Sequence, residues 1–345
     1  MALGTNHLDN SASVGSDPGG FLATKWIDEA IVTYEQALQL GDKISKIDFS
    51  GQKGDALVLP SLTTRGTPSA KAEDTQVTLI TRTDGEVTLS LNKHYEYSFL
   101  IEDRTAIQAL DSLLREYMAD MGYGLARRKD QDIWMAMKDM QGGSNFSGAV
   151  IGSDGSTAWS GIANGNTGNA AALTDAGIRK IIQTLDDSDN PMMDRHLVIP
   201  PVERNNIMGL ARFTEQAFVG NGDTIRNGVI GNMYGVNVSV STNCPFVHLD
   251  TADGDDVFNF ASTAIGTGSV SSETGETVTV TTDGGVAGRV AAMFHKDAVV
   301  MADQLDIRLQ KQYKQEYLGD LHTADCLYGV TEKRDYGAVP IIVAN

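Results

Sequence analysis

GVIGNMYGVNVSVSTNCP, residues Gly228 to Pro245, combines three glycines with an alternating run at Val236, Val238 and Val240. A loop that cradles phosphate can look like this, and so can a turn that feeds a strand. Spacing decides between them. The segment leading in, GNGDTIRNGVIG (Gly220 to Gly231), has no GxxxxGK[ST] spacing. The order strand, GxGxxG, helix of a dinucleotide fold is also missing. The glycines are read as relief for tight turns, since glycine alone takes positive φ at no steric cost. Val236 to Val240 is read as a strand, and the stretch as architecture.

Upstream lies an α/β-like block. In LTDAGIRKIIQTLDDSD, Thr174 or Asp175 can cap a helix whose apolar side is Ile178, Ile181, Ile182 and Leu185. HLVIPP (His196 to Pro201) is a short strand stopped by two prolines. VERNNIMGLARFT is a second short helix. Downstream, a polar excursion contains ETVTVTT as a strand. From VAAMFHKDAVVMADQ to the C-terminus, alternating stretches close a sheet.

Toward the N-terminus the period changes. ALVLP (Ala56 to Pro60) is a short strand. QVTLITR and EVTLSLNKHYEYSF flank Thr83-Asp84-Gly85. Val77 and Leu79 lie before that turn, and Val87, Leu89, Leu91, Tyr95, Tyr97 and Phe99 after it. Period-two alternation on both sides predicts a long hairpin with one apolar face. Alone it is marginal in water, so something must cover it. A long helix is expected from Ile101-Glu102-Asp103 to Met140. Its stripe is Ile107, Leu110, Leu113, Leu114, Tyr117, Met118, Met121 and Leu125, and after RRKDQD it resumes at Ile133, Trp134 and Met137. Gly142 to Asn169 is a glycine-rich loop too long for a plain connection, with Trp159 pinning its far end. Phe21 to Leu40 has Trp26, Ile27, Ala30, Ile31, Tyr34 and Leu38 at helical spacing, behind a polar leader.

Composition bounds the function. The chain has 345 residues, 41% hydrophobic and 21% charged, with 36 glycines and a formal net charge of -18. It is a folded protein of one large or two to three smaller domains. The acidic balance argues against wrapping DNA by phosphate neutralisation, which needs lysine and arginine. Cys244 and Cys326 form no disulfide framework or zinc site. No signal peptide and no run long enough to span a bilayer is seen, so no membrane role is expected.

Chemistry-bearing constellations are lacking. The histidines, His7, His94, His196, His248, His295 and His322, show no metal-ligand spacing. There is no GxSxG. Asp253 to Asp256 (DGDD) offers oxygens but not the complete calcium loop or its closing glutamate. His295-Lys296-Asp297 would sit on a strand, whose alternation turns neighbours to opposite faces. No catalytic, cofactor-binding or metal residue is assigned, no cofactor is expected, and the chain is not read as an enzyme. An arm, a long hairpin, a spine-like helix and long loops favour a self-assembling structural protein, whose partner is another copy of itself.

The C-terminal residues sharpen this. Phe294-His295-Lys296, Ala298, Arg308, Tyr317, Gly319-Asp320, Tyr328-Gly329-Val330, Arg334 and Asp335-Tyr336-Gly337 resemble the major capsid proteins of tailed bacteriophages, most of all those of T7-like short-tailed phages. GNMYGVNVSVSTNCP also resembles a core strand of that family. The resemblance covers the order of elements over almost the whole chain. It implies an α+β, HK97-like capsid fold. Residues 1–50 would be the N-terminal arm and 51–100 the extended hairpin loop. Residues 101–171 would be the peripheral domain with its spine helix, 172–288 the axial domain, and 289–345 the peripheral sheet and C-terminus. It implies hexamers and pentamers in an icosahedral shell around double-stranded DNA, bound without sequence specificity. Implied partners are a separate scaffolding protein, a portal at one vertex and a decoration protein, with assembly in the host cytoplasm and residence in the virion. The arm-like pattern begins by Phe21, so no large processing step is expected. Lys71 and the asparagines show no sign of a reactive pair, so no crosslink is expected. The rival readings are a tail or decoration protein and a nanocompartment shell protein.

Overall fold

In the computed structural model the described residues are 38–62, 68, 70–77, 79, 84–103, 111–138, 140–141, 148–161, 168–210, 231–250, 257–260, 268–271, 277–280 and 283–345. The strands, in chain order, are β1 (Ser45–Asp48), β2 (Ala56–Leu62), β3 (Asp84–Ser90), β4 (Lys93–Glu102), β5 (Val150–Ile151), β6 (Arg195–Ile199), β7 (Asn232–Met233), β8 (Val236–Val240), β9 (Phe246–Asp250), β10 (Val257–Asn259), β11 (Gly268–Ser271), β12 (Thr277–Val280), β13 (Asp283–His295), β14 (Val299–Lys314), β15 (Gly319–Glu332) and β16 (Ala338–Val343). The helices are α1 (Asp111–Met137), α2 (Asp175–Asp187) and α3 (Pro201–Met208).

Two sheets organise these elements. The larger has the order β10-β9-β13-β6-β8-β7, with β16 pairing both β13 and β5. Its central strands are buried on both faces, which is why they read as near-continuous apolar runs. All six residues of β16 are buried. Alternate residues serve two cores. Leu197, Ile199, Ala291, Met293, Val339 and Ile341 meet Ile178, Ile181 and Leu185 of α2 and Ile207 of α3. Val198, Ala292, Phe294, Ala338 and Ile342 face the other way, toward Met121, Leu125, Ile133, Trp134 and Met137 of α1.

The smaller sheet has the order β1-β14-β15-β4. Its Met301, Ala324, Cys326 and Tyr328 join the same core as α1. So α1 lies in the joint between the two sheets and contributes side chains common to both. On the far face of the smaller sheet, Val300 and Ala302 pack with Phe49, Leu89 and Leu91 at the base of β2 and β3.

Several expectations hold. Thr174 is the N-cap of α2, its Oγ1 accepting from the Gly177 N–H at 3.1 Å. Val236–Val240 is a strand, and Trp159 is buried in the core beside α1. Gly122 and Gly124 lie inside α1 without breaking it.

Others need correction. β3 pairs with β2, Leu57 opposite Leu89 and Leu62 opposite Asp84, so the hairpin closes over a long excursion rather than at Thr83–Gly85. Val77 and Leu79 belong to no strand. Alternation is a local property, and it does not name the partner strand. β4 leaves this hairpin and pairs with β15. Ile101 and Glu102 end β4 rather than opening the helix, and α1 closes at Met137, not Met140. Lys296 and Asp297 occupy the turn between β13 and β14, not a strand. The helix expected over Phe21–Leu40 lies outside the described residues except for residues 38–40, and DGDD lies wholly outside them.

Candidate assembly surfaces

The stretch from Gly228 is a hairpin from Gly231 onward. β7 and β8 pair antiparallel around Tyr234 and Gly235, whose φ angles are 51° and 82°. Two successive positive φ values make the type I′ turn that suits the strand twist. Gly235 takes its conformation freely, while Tyr234 is held by its hydroxyl, which donates to Asp175 Oδ1 at 2.5 Å. This ties the hairpin to the first turn of α2. From Gly231 onward the stretch builds the sheet.

The joint around α1 follows from two periods that nearly match. Two strand residues advance about 6.6 Å and four helix residues about 6 Å. β4 runs antiparallel to α1, so its odd residues stay in step with every third or fourth helix residue. Lys93 Nζ lies 3.3 Å from Asp132, and the Tyr95 hydroxyl accepts from Arg128 at 2.9 Å. The Tyr97 hydroxyl donates to Asp120 at 2.8 Å, and the Phe99 ring centroid lies 5.7 Å from that of Tyr117. Gly124 sits under Tyr97, where an added Cβ would come within 3.3 Å of the ring.

At the buried end of this ladder, RRKDQD turns inward. Asp130, Gln131 and Asp132 are at most 4% exposed. Asp130 accepts from the Leu40 N–H at 2.9 Å and from Asn243 Nδ2 at 2.9 Å. Backbone N–H groups of Gln39 and Gly41 also reach it. One carboxylate thus fastens the chain near residue 40, the helix and the loop after β8. Burial pushes Asp130 above the usual carboxylate range, against those hydrogen bonds. Asp132 accepts from the Tyr328 hydroxyl at 2.6 Å. Burial first, and then the Asp132 charge, drives that phenol far above its ordinary value. Lys129 pairs with Asp303 at 2.8 Å. Sequence reading treated this run as a break in the apolar stripe. Helical spacing already placed Asp130 on the face of Trp134 and Met137, which was the available signal.

The other polar residues weighed in the sequence do not converge. His196, His295 and His322 each lie below the ordinary imidazole value because burial penalises the charged ring. His322 stacks on Phe99 with centroids 5.2 Å apart, and His196 lies against Phe294 at 5.8 Å. His94 is on the opposite face of the smaller sheet, 3.4 Å from Asp325, whose two oxygens also take Arg308 at 2.8 Å each. Asp297 receives the Ser45 hydroxyl, which fixes β1 beside the β13–β14 turn. His7 lies outside the described residues. Cys244 and Cys326 are free and buried. Among the described residues no group of three or more His, Cys, Asp or Glu could hold a metal ion, and no helix is long and apolar enough to cross a membrane.

Several large apolar side chains are exposed. Beyond β2 and β3, Val77 and Leu79 are 69% and 92% exposed. The distal part of β14 and the turn after it expose Leu309, Tyr313, Tyr317 and Leu318. Met192 and Met193, between α2 and β6, are 74% and 78% exposed. Grouped exposed apolar side chains are the kind of surface on which proteins meet their partners.

Among the described residues, polar contacts fasten α1 between the two sheets and several large apolar side chains stand exposed, and known proteins match this fold. The sequence model described as "Phage capsid protein" matches residues 86–302, well over half of the chain. The fold is similar to the capsid structure of cyanophage P-SCSP1u, at 17% identity over 100% of both chains and a TM-score of 0.66. It is similar to a chain of Mycobacterium phage Che8, at 17% identity over 94% of this chain and 98% of that one, TM-score 0.66. It is also similar to the acid-stable capsid of Helicobacter pylori bacteriophage KHP30, at 12% identity over 100% and 99%, TM-score 0.66. At such identities the likeness is one of fold. No curated protein matches in sequence. With its α+β fold, its lack of catalytic motifs and a family match over most of its length, the chain belongs to the phage capsid protein family.

Proposed function

We propose that this chain is the major capsid protein of a tailed bacteriophage and assembles as hexamers and pentamers into an icosahedral shell around double-stranded DNA. The observation that carries the reading is the family match together with the large apolar side chains that the described residues expose. Its architecture is read as HK97-like, with α1 as the spine helix. Residues 1–50 are the arm, 51–100 the extended hairpin, 101–171 and 289–345 the peripheral parts, and 172–288 the axial part. The C-terminal motifs from Phe294 to Gly337 favour relatives among T7-like short-tailed phages. The shell holds its genome without sequence-specific contacts, which accords with a net charge of -18. A scaffolding protein, a portal and a decoration protein are the further partners. Assembly takes place in the host cytoplasm, the product resides in the virion, and the chain performs no catalysis.

Negative-stain electron microscopy of the purified chain, alone and with its scaffolding protein, tests this. Closed shells tens of nanometres across are expected. Sheets or tubes from the chain alone, becoming closed shells with the scaffold, give the same answer. A monomer or small oligomer under both conditions would overturn it.

A further inference from the structure

β14 is a strand with two different halves. From Val299 to Ala302 it is buried, with β15 on one side and β1 pairing parallel on the other. Cover on the β1 side ends at Gln304, whose Nε2 donates to the Gln52 and Gly54 carbonyls at 3.0 and 3.1 Å. Past Gln304 the ladder to β15 runs on to Lys314, and among the described residues no strand lies on the other side. Asp306 to Tyr313 are all exposed. The register to β15 shifts between Asp303 and Arg308 and is regular from Arg308 to Lys314.

In an antiparallel ladder alternate residues turn their N–H and C=O groups away from the partner strand. The distal half of β14 therefore offers a row of unpaired donors and acceptors, which is a template for a further strand. Its side chains narrow down which strand fits. Ile307, Leu309 and Tyr313 are 36%, 50% and 46% exposed. Arg308 is already held by Asp325 at 2.8 Å, and Lys311 by Asp320 at 2.7 Å. Lys314 is in no ion pair among the described residues. Asp306 stands 85% exposed, 3.6 Å from Lys129 Nζ. One free cation and one exposed carboxylate thus lie at opposite ends of the same open run. Two copies of that run laid antiparallel, with Gln310 opposite Gln310, bring each Asp306 to the other's Lys314 and each Ile307 to the other's Tyr313. They also place Lys311 opposite Leu309. A shift that put Lys311 at the centre would set like charges directly opposite, which is unfavourable.

We infer that the distal edge of β14 pairs with the same edge of a second copy of this chain, antiparallel about a two-fold axis at Gln310. The contact is isologous: each copy gives and receives the same surface. It joins two copies and no more, so it cannot close a ring of five or six and instead links one ring to the next. The inference rests on the shell reading for its partner, a further copy, and adds the surface on which the two meet.

The test is Gln310→Cys, assembled into shells and exposed to a mild oxidant. Residues directly opposite in an antiparallel pair have Cα atoms about 4.5–5.5 Å apart, within disulfide range. Gln312→Cys is the control, because its two copies would be staggered by about 13 Å along the strands. Both native cysteines are free and buried, out of the oxidant's reach. On a non-reducing denaturing gel Gln310→Cys should move from monomer to dimer and no further, and Gln312→Cys should stay monomeric. Shells that form yet give no Gln310→Cys dimer, or equal dimer from both variants, overturn the edge pairing and leave the shell reading intact. Absence of shells from the unmodified chain, with scaffold present, overturns the shell reading and the pairing with it. As a second measurement, Asp306→Lys should lose most of the shell yield, and Asp306→Lys with Lys314→Asp should regain it. The second change restores nothing at Lys129, so recovery reports the contact between copies. A double variant no better than the single one would overturn the pairing.

Discussion

The joint around α1 and the loops that project from the body reverse the usual placement of residues. Asp130, Gln131 and Asp132 are inside, while Val77, Leu79, Met192 and Met193 are outside. The buried groups are costly unless satisfied, and their hydrogen bonds admit one arrangement of helix, strand β4, Tyr328 and the chain at Leu40. The exposed groups do nothing for the single chain. Inside, polar groups hold a fixed geometry; outside, apolar groups offer the surface that the proposed assembly needs. On the proposed reading one region serves folding and the other assembly, so mutations in the two should separate cleanly.

The largest separation is expected between Asp130→Ala and Leu79→Ser. Removing the carboxylate leaves the Leu40 N–H and Asn243 amide without their acceptor, at a cost of about 2–3 kcal/mol in urea unfolding of the unassembled chain. Leu79→Ser should change that stability by less than about 0.5 kcal/mol while impairing assembly. Equal unfolding midpoints for the two variants would show that the hub is not structural.

A finer test compares two glycines two residues apart on α1. Around Gly122 an added Cβ meets nothing within 4 Å, so Gly122→Ala should gain about 0.5–1 kcal/mol from helix propensity. At Gly124 the same methyl crowds the Tyr97 ring, so Gly124→Ala should gain less or lose stability. Thermal melts of both would measure it. Equal gains would mean that Tyr97 does not lie where the ladder puts it.

The smallest effect is in pH. His196, His295 and His322 are depressed by burial, so these rings stay neutral in the folded chain at pH values where the unfolded chain protonates them. Their contribution is present above the ordinary imidazole value of 6.5 and lost as pH falls through the folded-state values. The melting temperature of the unassembled chain should drop between about pH 7 and about pH 5. His295→Gln with His322→Gln should flatten that drop. An unchanged slope would assign it to other groups. Asp130, raised by burial, acts with the opposite sign and nearer the carboxylate range.

Much of the secondary structure was legible because period and punctuation are local. Thr174 before Ile178, Ile181 and Leu185 specifies α2, and the alternation at Val236, Val238 and Val240 specifies β8. Val77 and Leu79 show the limit of the same reading. They alternate like a strand, yet β3 pairs with β2, because the alternation names a face and not a neighbour. The hub was missed for a related reason. RRKDQD reads as polar and therefore exposed, and only packing supplies Leu40, Asn243 and Tyr328, which are distant in sequence and satisfy it.

The sequence by itself determined the class of the molecule. Its apolar periods, its acidic balance, the absence of any chemical constellation and the motifs from Phe294 onward point to a structural shell protein, and each is a property of neighbours along the chain. Tertiary structure decided which strand pairs with which, why a charged run lies in the joint, and that β14, among the described residues, keeps an open edge past Gln304. Those outcomes depend on contacts between residues far apart in the chain, whose free energy exists only when both partners are in place.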